Sequence, residues 1–128
     1  MADEKGVAAL RDKLILVVED EADVRDFVEA VLEAEGYRVV GASNGLDALE
    51  QITQQRPDAI LLDMRLPTMD GWQFAKELRA RQNSNIPIIV MTALQARQIA
   101  KEISAKGFLQ KPFDITDLLN AVRSACGA

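Results

Sequence analysis

Between Leu14 and Ala125 the chain passes five times from a short apolar run to a stretch with helical spacing, and that order limits the folds open to it. The first run, "LILVVE" (Leu14 to Glu19), reads as a strand buried on both faces. Val24, Phe27, Val28, Val31 and Leu32 then follow the i, i+3, i+4, i+7, i+8 pattern of a helix, and Gly36 is placed to end it. A short strand, Tyr37 to Gly41, precedes a helix capped by Ser43 or Asn44 that carries Leu46, Leu49 and Ile52 and is broken by Pro57. Asp58 to Asp63 is a third strand. Asp70 with Gln73 has the form of a capping box opening a helix through Phe74 and Leu78. Ile86 to Thr92 is a fourth strand, residues 95–105 a weaker helix with Ile99 and Ile103, and Gly107 to Gln110 a fifth strand. Asp114 caps a last helix whose apolar face is Leu118, Ala121, Val122 and Ala125. Strands alternating with helices predict an α/β fold, a doubly wound five-stranded parallel sheet with right-handed crossovers and helices on both faces. In such sheets ligands bind beyond the carboxyl ends of the strands.

Those ends carry the chemistry. The first strand delivers Glu19 and Asp20, the third Asp63, the fourth Thr92 and the fifth Lys111. Like charges about 4 Å apart repel by about 4 kcal/mol per pair at an effective dielectric near 20. One lysine cannot neutralise three carboxylates, whereas a divalent cation can, and an all-oxygen donor set suits Mg²⁺. A carboxylate held beside Mg²⁺ and an ammonium is also poised to receive a phosphoryl group, since Asp is a known nucleophile for that step. Each residue alone has a plainer reading: Glu19 and Asp20 as helix caps, Asp63 as a turn residue, Thr92 as a strand residue, Lys111-Pro112 as a loop. Their meeting at one sheet edge is what favours the chemical reading.

Composition removes several function classes. The chain has 128 residues, which suits one domain with a core burying roughly two-thirds of the unfolded surface. There is no histidine, so any histidine chemistry belongs to a partner, and the single cysteine, Cys126, allows neither an internal disulfide nor a cysteine metal site. A net charge of −5 argues against nucleic-acid binding. No apolar run approaches the roughly 20 residues of a membrane span, and the charged start, "MADEKGVAALRDK", is unlike a signal peptide, so a cytoplasmic location is expected.

The segments "LILVVEDE", "GYRVVGASNGLDALE", "ILLDMRLPTMDGWQFAKELR", "IPIIVMTA" and "GFLQKPFD" together resemble the receiver domain of bacterial two-component response regulators, over nearly the whole chain. The resemblance implies strand order 2-1-3-4-5 and a receiver domain at 13–126 after an N-terminal extension at 1–12. It implies that Asp63 is the phosphoacceptor and that Asp20 binds Mg²⁺ directly, with Glu19 ordering the metal shell and the backbone carbonyl of Arg65 as a further ligand. Lys111 would hold phosphoryl oxygens, Thr92 would hydrogen-bond one of them, and small Ala93 would leave room for the group. Phe108 matches the aromatic switch position, and Lys111-Pro112 is cis in the family. On phosphorylation Thr92 moves toward the site, Phe108 turns inward, and a partner reads the changed surface of the fourth helix, fifth strand and fifth helix.

The phosphoryl donor would be a sensor histidine kinase or a histidine phosphotransfer protein. The protein would be a single-domain regulator, a monomer or weak dimer without an output module, and no enzyme beyond Mg²⁺-dependent self-phosphorylation and slow autodephosphorylation. Three features depart from the usual family pattern. Phe108 lacks the hydroxyl of the tyrosine often found there, the interval from Thr92 to Lys111 is shorter than usual, and Arg65 places a long cation two residues after Asp63. A hydrolase working through an aspartyl nucleophile would want a second Asp where Arg65 stands. A receiver-like module that binds without phosphate is the alternative reading. A nucleotide or flavin site lacks its glycine-rich loop. Plainer roles are expected elsewhere: Trp72 as partly buried helix packing, Cys126 as inert, Arg79 and Arg81 as a solvated helix end, and Arg97, Lys101 and Lys106 as a solvated face.

Overall fold

The computed structural model describes residues 13–81 and 85–127, so the expected extension at 1–12 lies outside the described residues. Five strands and five helices alternate: β1 (Leu14–Val18), α1 (Ala22–Ala34), β2 (Arg38–Ala42), α2 (Gly45–Gln54), β3 (Ala59–Asp63), α3 (Gly71–Arg79), β4 (Ile88–Thr92), α4 (Ala96–Glu102), β5 (Gly107–Gln110) and α5 (Ile115–Ala125). The strands form one parallel sheet in the order β2-β1-β3-β4-β5. β1, β3 and β4 are buried at every position, as continuous apolar runs require, whereas the edge strand β2 is only partly covered.

Strand alternation divides the core in two. Leu16, Val18, Ile60, Leu62, Ile88 and Val90 pack with Leu49, Phe74, Leu78 and Ile99 of α2, α3 and α4. Ile15, Val17, Leu61, Ile89, Met91 and Leu109 pack with Val28, Leu32, Leu118 and Val122 of α1 and α5. On β5, Leu109 joins the α1/α5 layer, so its neighbours Phe108 and Gln110 face the α4 side.

Local signals set the helix starts. Asn44 rather than Ser43 caps α2, its side chain accepting from the Asp47 N–H at 2.8 Å. Asp70 accepts from the Gln73 N–H at 2.8 Å while the Gln73 side chain accepts from the Asp70 N–H at 3.3 Å, completing the capping box of α3. Asp114 caps α5 by the single bond that its side chain accepts from the Asp117 N–H at 2.8 Å. Gly36 has a φ of 102°, the left-handed turn past the end of α1 that glycine adopts without strain.

Several expectations need correction. α4 is shorter than the expected 95–105 and stops at Glu102, with Ser104 at a φ of 55° turning the chain toward β5. Phe27 (46% exposed) and Leu46 (49%) belong to the apolar patterns but lie outside the core. Trp72, expected to be partly buried, is exposed beside Ile103. Arg79 is no solvated helix end: its Nη1 donates to the Ile86 carbonyl oxygen at 3.0 Å, tying α3 to the segment leading into β4, and burial lowers its pKa. Cys126 caps α5, and burial, reinforced by the charge of Asp58, pushes its thiol pKa up, away from reactivity.

Candidate functional site

The carboxyl edge of the sheet is built by three strand ends and one loop. Glu19 follows the last residue of β1, and its N–H donates to the Ala42 carbonyl oxygen at 3.0 Å, continuing the ladder with β2. Asp63 is the last residue of β3 and pairs in register with Met91; Thr92, the last residue of β4, pairs with Gln110. The Lys111 N–H donates to the Thr92 carbonyl oxygen at 2.8 Å, which fixes the start of the loop beyond β5.

Glu19, Asp20 and Asp63 each offer a carboxylate oxygen, and these oxygens lie within 4.8 Å of one another. Glu19 is fully buried, Asp63 nearly so, and Asp20 is exposed. Helix capping does not explain the acidic pair: the N-cap of α1 is Glu21, whose side chain makes no capping bond. Instead the Glu19 carboxylate accepts from the Glu21 N–H at 3.2 Å through Oε2 and from Lys111 Nζ at 2.7 Å through Oε1. Lys111 Nζ also stands 3.6 Å from Asp63 Oδ2, while Asp63 Oδ1 accepts from the Arg65 N–H at 3.1 Å. Burial alone would lower the pKa of Lys111. The hydrogen bond to Glu19 and the charges of Asp63, Glu19 and Glu21 together outweigh it and raise the value, so the ammonium is firmly charged at neutral pH.

The donor set is all carboxylate oxygen, clustered closely enough for one small hard cation, and one ammonium cannot balance three carboxylates. That set fits Mg²⁺. Arg65 supplies its backbone to Asp63, while its side chain is exposed and forms no ion pair among the described residues. Thr92 is buried, its Oγ1 accepting at 3.5 Å from the Leu94 N–H, and Ala93 is exposed beside Lys111, Pro112 and Phe113. The Lys111-Pro112 peptide is cis. Phe108 is 40% exposed, turned outward, with the Arg97 guanidinium 5.7 Å from its ring centroid.

Three contributors went unread in the sequence. Gln110 reaches across the loop after β4, donating to the Ala93 carbonyl oxygen at 2.9 Å and accepting from the Ala96 N–H at 3.1 Å. Its signal was its parity on β5, which points a polar side chain at the loop carrying Ala93. Arg25 Nη1 donates to the Glu19 carbonyl oxygen at 2.7 Å, which helical spacing from the acidic pair could have shown. Gly71 allows the chain after Asp63 to fold back. Its N–H donates to the Met64 carbonyl oxygen at 3.1 Å, and a Cβ there would lie 2.7 Å from Met64 Cα.

The sequence profile of the response regulator receiver domain matches residues 15–123. The chain belongs to that family. This receiver domain is 39% identical over 117 residues to sporulation initiation phosphotransferase F of Bacillus subtilis (strain 168), covering 89% of this chain and 94% of that protein. It is 36% identical to the transcriptional regulatory protein PdtaR of Mycobacterium tuberculosis, of which it spans about half the length (55%). Among solved structures, the receiver domain resembles a putative response regulator from Chloroflexus aurantiacus with a TM-score of 0.84 and 33% identity, covering 91% of this chain and 98% of that one. The receiver domain of the sensor histidine kinase PA1611 from Pseudomonas aeruginosa, solved with magnesium coordinated in its active-site cleft, superposes with a TM-score of 0.83 and 36% identity over 91% of this chain and 98% of that one.

Proposed function

We propose that this receiver domain accepts a phosphoryl group on Asp63 from a phosphohistidine, in a Mg²⁺-dependent reaction, and signals by changed protein–protein contacts. The observation that carries this reading is the meeting of Glu19, Asp20 and Asp63 at one sheet edge with Lys111 among them. Glu19, Asp20, Asp63 and the Arg65 carbonyl would hold the metal. Bound there, Mg²⁺ supplies charge compensation for the equatorial phosphoryl oxygens.

The residues of the chain do the rest. An Asp63 carboxylate oxygen attacks phosphorus as the P–N bond breaks. The electron pair of that bond stays on the departing imidazole nitrogen of the donor, and a new O–P bond forms. Lys111 stays protonated and holds the transferred oxygens, moving off Glu19 as the added charge draws it in. Thr92 exchanges its weak bond from the Leu94 N–H for donation to a phosphoryl oxygen, and Ala93 leaves space for the group. Phe108 then turns inward, changing the surface formed by α4, β5 and α5. Hydrolysis returns Asp63 slowly to its free form.

The donor is a sensor histidine kinase or histidine phosphotransfer protein, consistent with the absence of histidine from this chain. An apolar hollow of about 490 Å³ beside Lys111, lined by Val24, Phe27, Pro112 and Phe113, offers it a surface next to the site. The functional unit is residues 13–126, with 1–12 an extension, acting in the cytoplasm as a monomer or weak dimer. Among the described residues no helix is long and apolar enough to cross a membrane.

Incubation with acetyl phosphate and Mg²⁺, read by intact mass, tests the proposal. Wild type should gain one phosphoryl group, and Asp63→Asn or removal of Mg²⁺ by chelation should abolish the gain. An unmodified wild type would overturn it.

A further inference from the structure

The α4–β5 face carries a groove of about 450 Å³ lined by Arg97, Ala100, Lys101, Lys106, Gly107 and Phe108 among others, with three cations and no carboxylate in its lining. This is an unusual concentration of positive charge on a chain with 20 acidic and 15 basic residues. Lys111 and Arg123 pair with carboxylates, but among the described residues none of Arg97, Lys101 and Lys106 does. The placement is unfavourable in itself. Arg97 sits in the first turn of α4, the positive end of the helix dipole, and stands at i, i+4 spacing from Lys101. What compensates Arg97 inside the molecule is the face of the Phe108 ring.

We infer that the α4–β5 groove, with Arg97, Lys101 and Lys106 around Phe108, is a docking site for a carboxylate-rich segment of a protein partner. This deepens the proposed function and rests on it for one step, the inward turn of Phe108. That turn removes the ring from under Arg97 and leaves its guanidinium to be satisfied by an incoming carboxylate. Phosphorylation therefore strengthens docking, and by reciprocity docking favours the phosphorylated conformation. Phe108 has no hydroxyl to hold it outward, so Arg97 takes over that function and couples the switch to the partner's charge. The floor of the groove is open: a Cβ at Gly107 would meet nothing within 4 Å.

The test uses the full chain with Mg²⁺, with and without beryllofluoride as the phosphoryl mimic. The probes are two fluorescent peptides that share apolar residues and carry glutamate in one and lysine in the other, together with a short poly-dT strand. The glutamate peptide should bind at least about tenfold tighter than the lysine peptide, tighten with beryllofluoride and weaken with salt. Arg97→Gln/Lys101→Gln and Gly107→Glu should each cost about tenfold in that binding while still gaining one phosphoryl group from acetyl phosphate. Equal binding of the two peptides, tighter binding of the poly-dT strand, or unchanged binding by both variants overturns the inference and leaves phosphoryl acceptance standing. A glutamate preference in a chain that takes up no phosphate supports the docking site and overturns the proposed function instead.

Discussion

Lys111 touches Glu19 and Asp63 at once, and its charge makes a fully buried Glu19 tolerable. A carboxylate taken out of water is costly unless it is paired and hydrogen-bonded, and Glu19 receives both an ammonium and the Glu21 N–H. Lys111→Met should therefore destabilise the metal-free fold by about 2 kcal/mol, less than for a fully buried pair because the ammonium keeps some contact with water. The pH dependence follows from the direction of its shift. A raised pKa means that the folded state holds the proton more tightly, so the stabilisation is complete below the ordinary value of 10.5 and is lost as pH rises through the folded value. Urea denaturation of wild type and variant should show a constant gap from neutral pH to about pH 10 and a narrowing gap above it. A gap that persists undiminished at higher pH would mean that Lys111 contributes packing rather than charge.

At the scale of elements, α3 shows how a helix start positions the segment after Asp63. The Asp70 capping box sets where α3 begins, and Gly71 lets that start press against Met64. These two adjacent residues should behave differently. Asp70→Ala removes one cap and should cost about 1 kcal/mol while leaving Mg²⁺ affinity nearly unchanged. Gly71→Ala forces its methyl against backbone and should cost about 2 kcal/mol. It should also weaken Mg²⁺ binding, because the displaced segment carries the Arg65 carbonyl. Thermal melts with and without Mg²⁺ separate the two effects; equal loss of Mg²⁺ affinity in both variants would contradict this division. The capping box was legible because its residues lie three positions apart in sequence, whereas the Gly71–Met64 contact depends on a loop returning across a strand end. The end of α4 was not legible for a related reason: no Gly or Pro marks it, and the turn is made by Ser104 at positive φ.

For the whole molecule, the parallel sheet followed from apolar runs buried on both faces, whereas the order of its strands followed only from the family resemblance. The candidate site was legible for the same reason: once an apolar run defines a strand, the residue at its end is placed at the sheet edge, as with Asp63 and Thr92. What the sequence could not show was how the edge is satisfied. The bond between Lys111 and Glu19, the span of Gln110 over the β4–α4 loop, and Arg97 over Phe108 link residues brought together by packing. Phe27 and Leu46 were misplaced because helical spacing identifies a stripe but not how far the neighbouring layer reaches across it.

The most direct measurement of phosphoryl acceptance at Asp63 is a crystal structure with saturating Mg²⁺ and beryllofluoride. The expected result is a tetrahedral group joined to an Asp63 oxygen, metal held by Glu19, Asp20, Asp63 and the Arg65 carbonyl, and Lys111 and Thr92 on the fluorines. A pocket that stays empty at saturating concentrations, or a group bound away from Asp63, would contradict it.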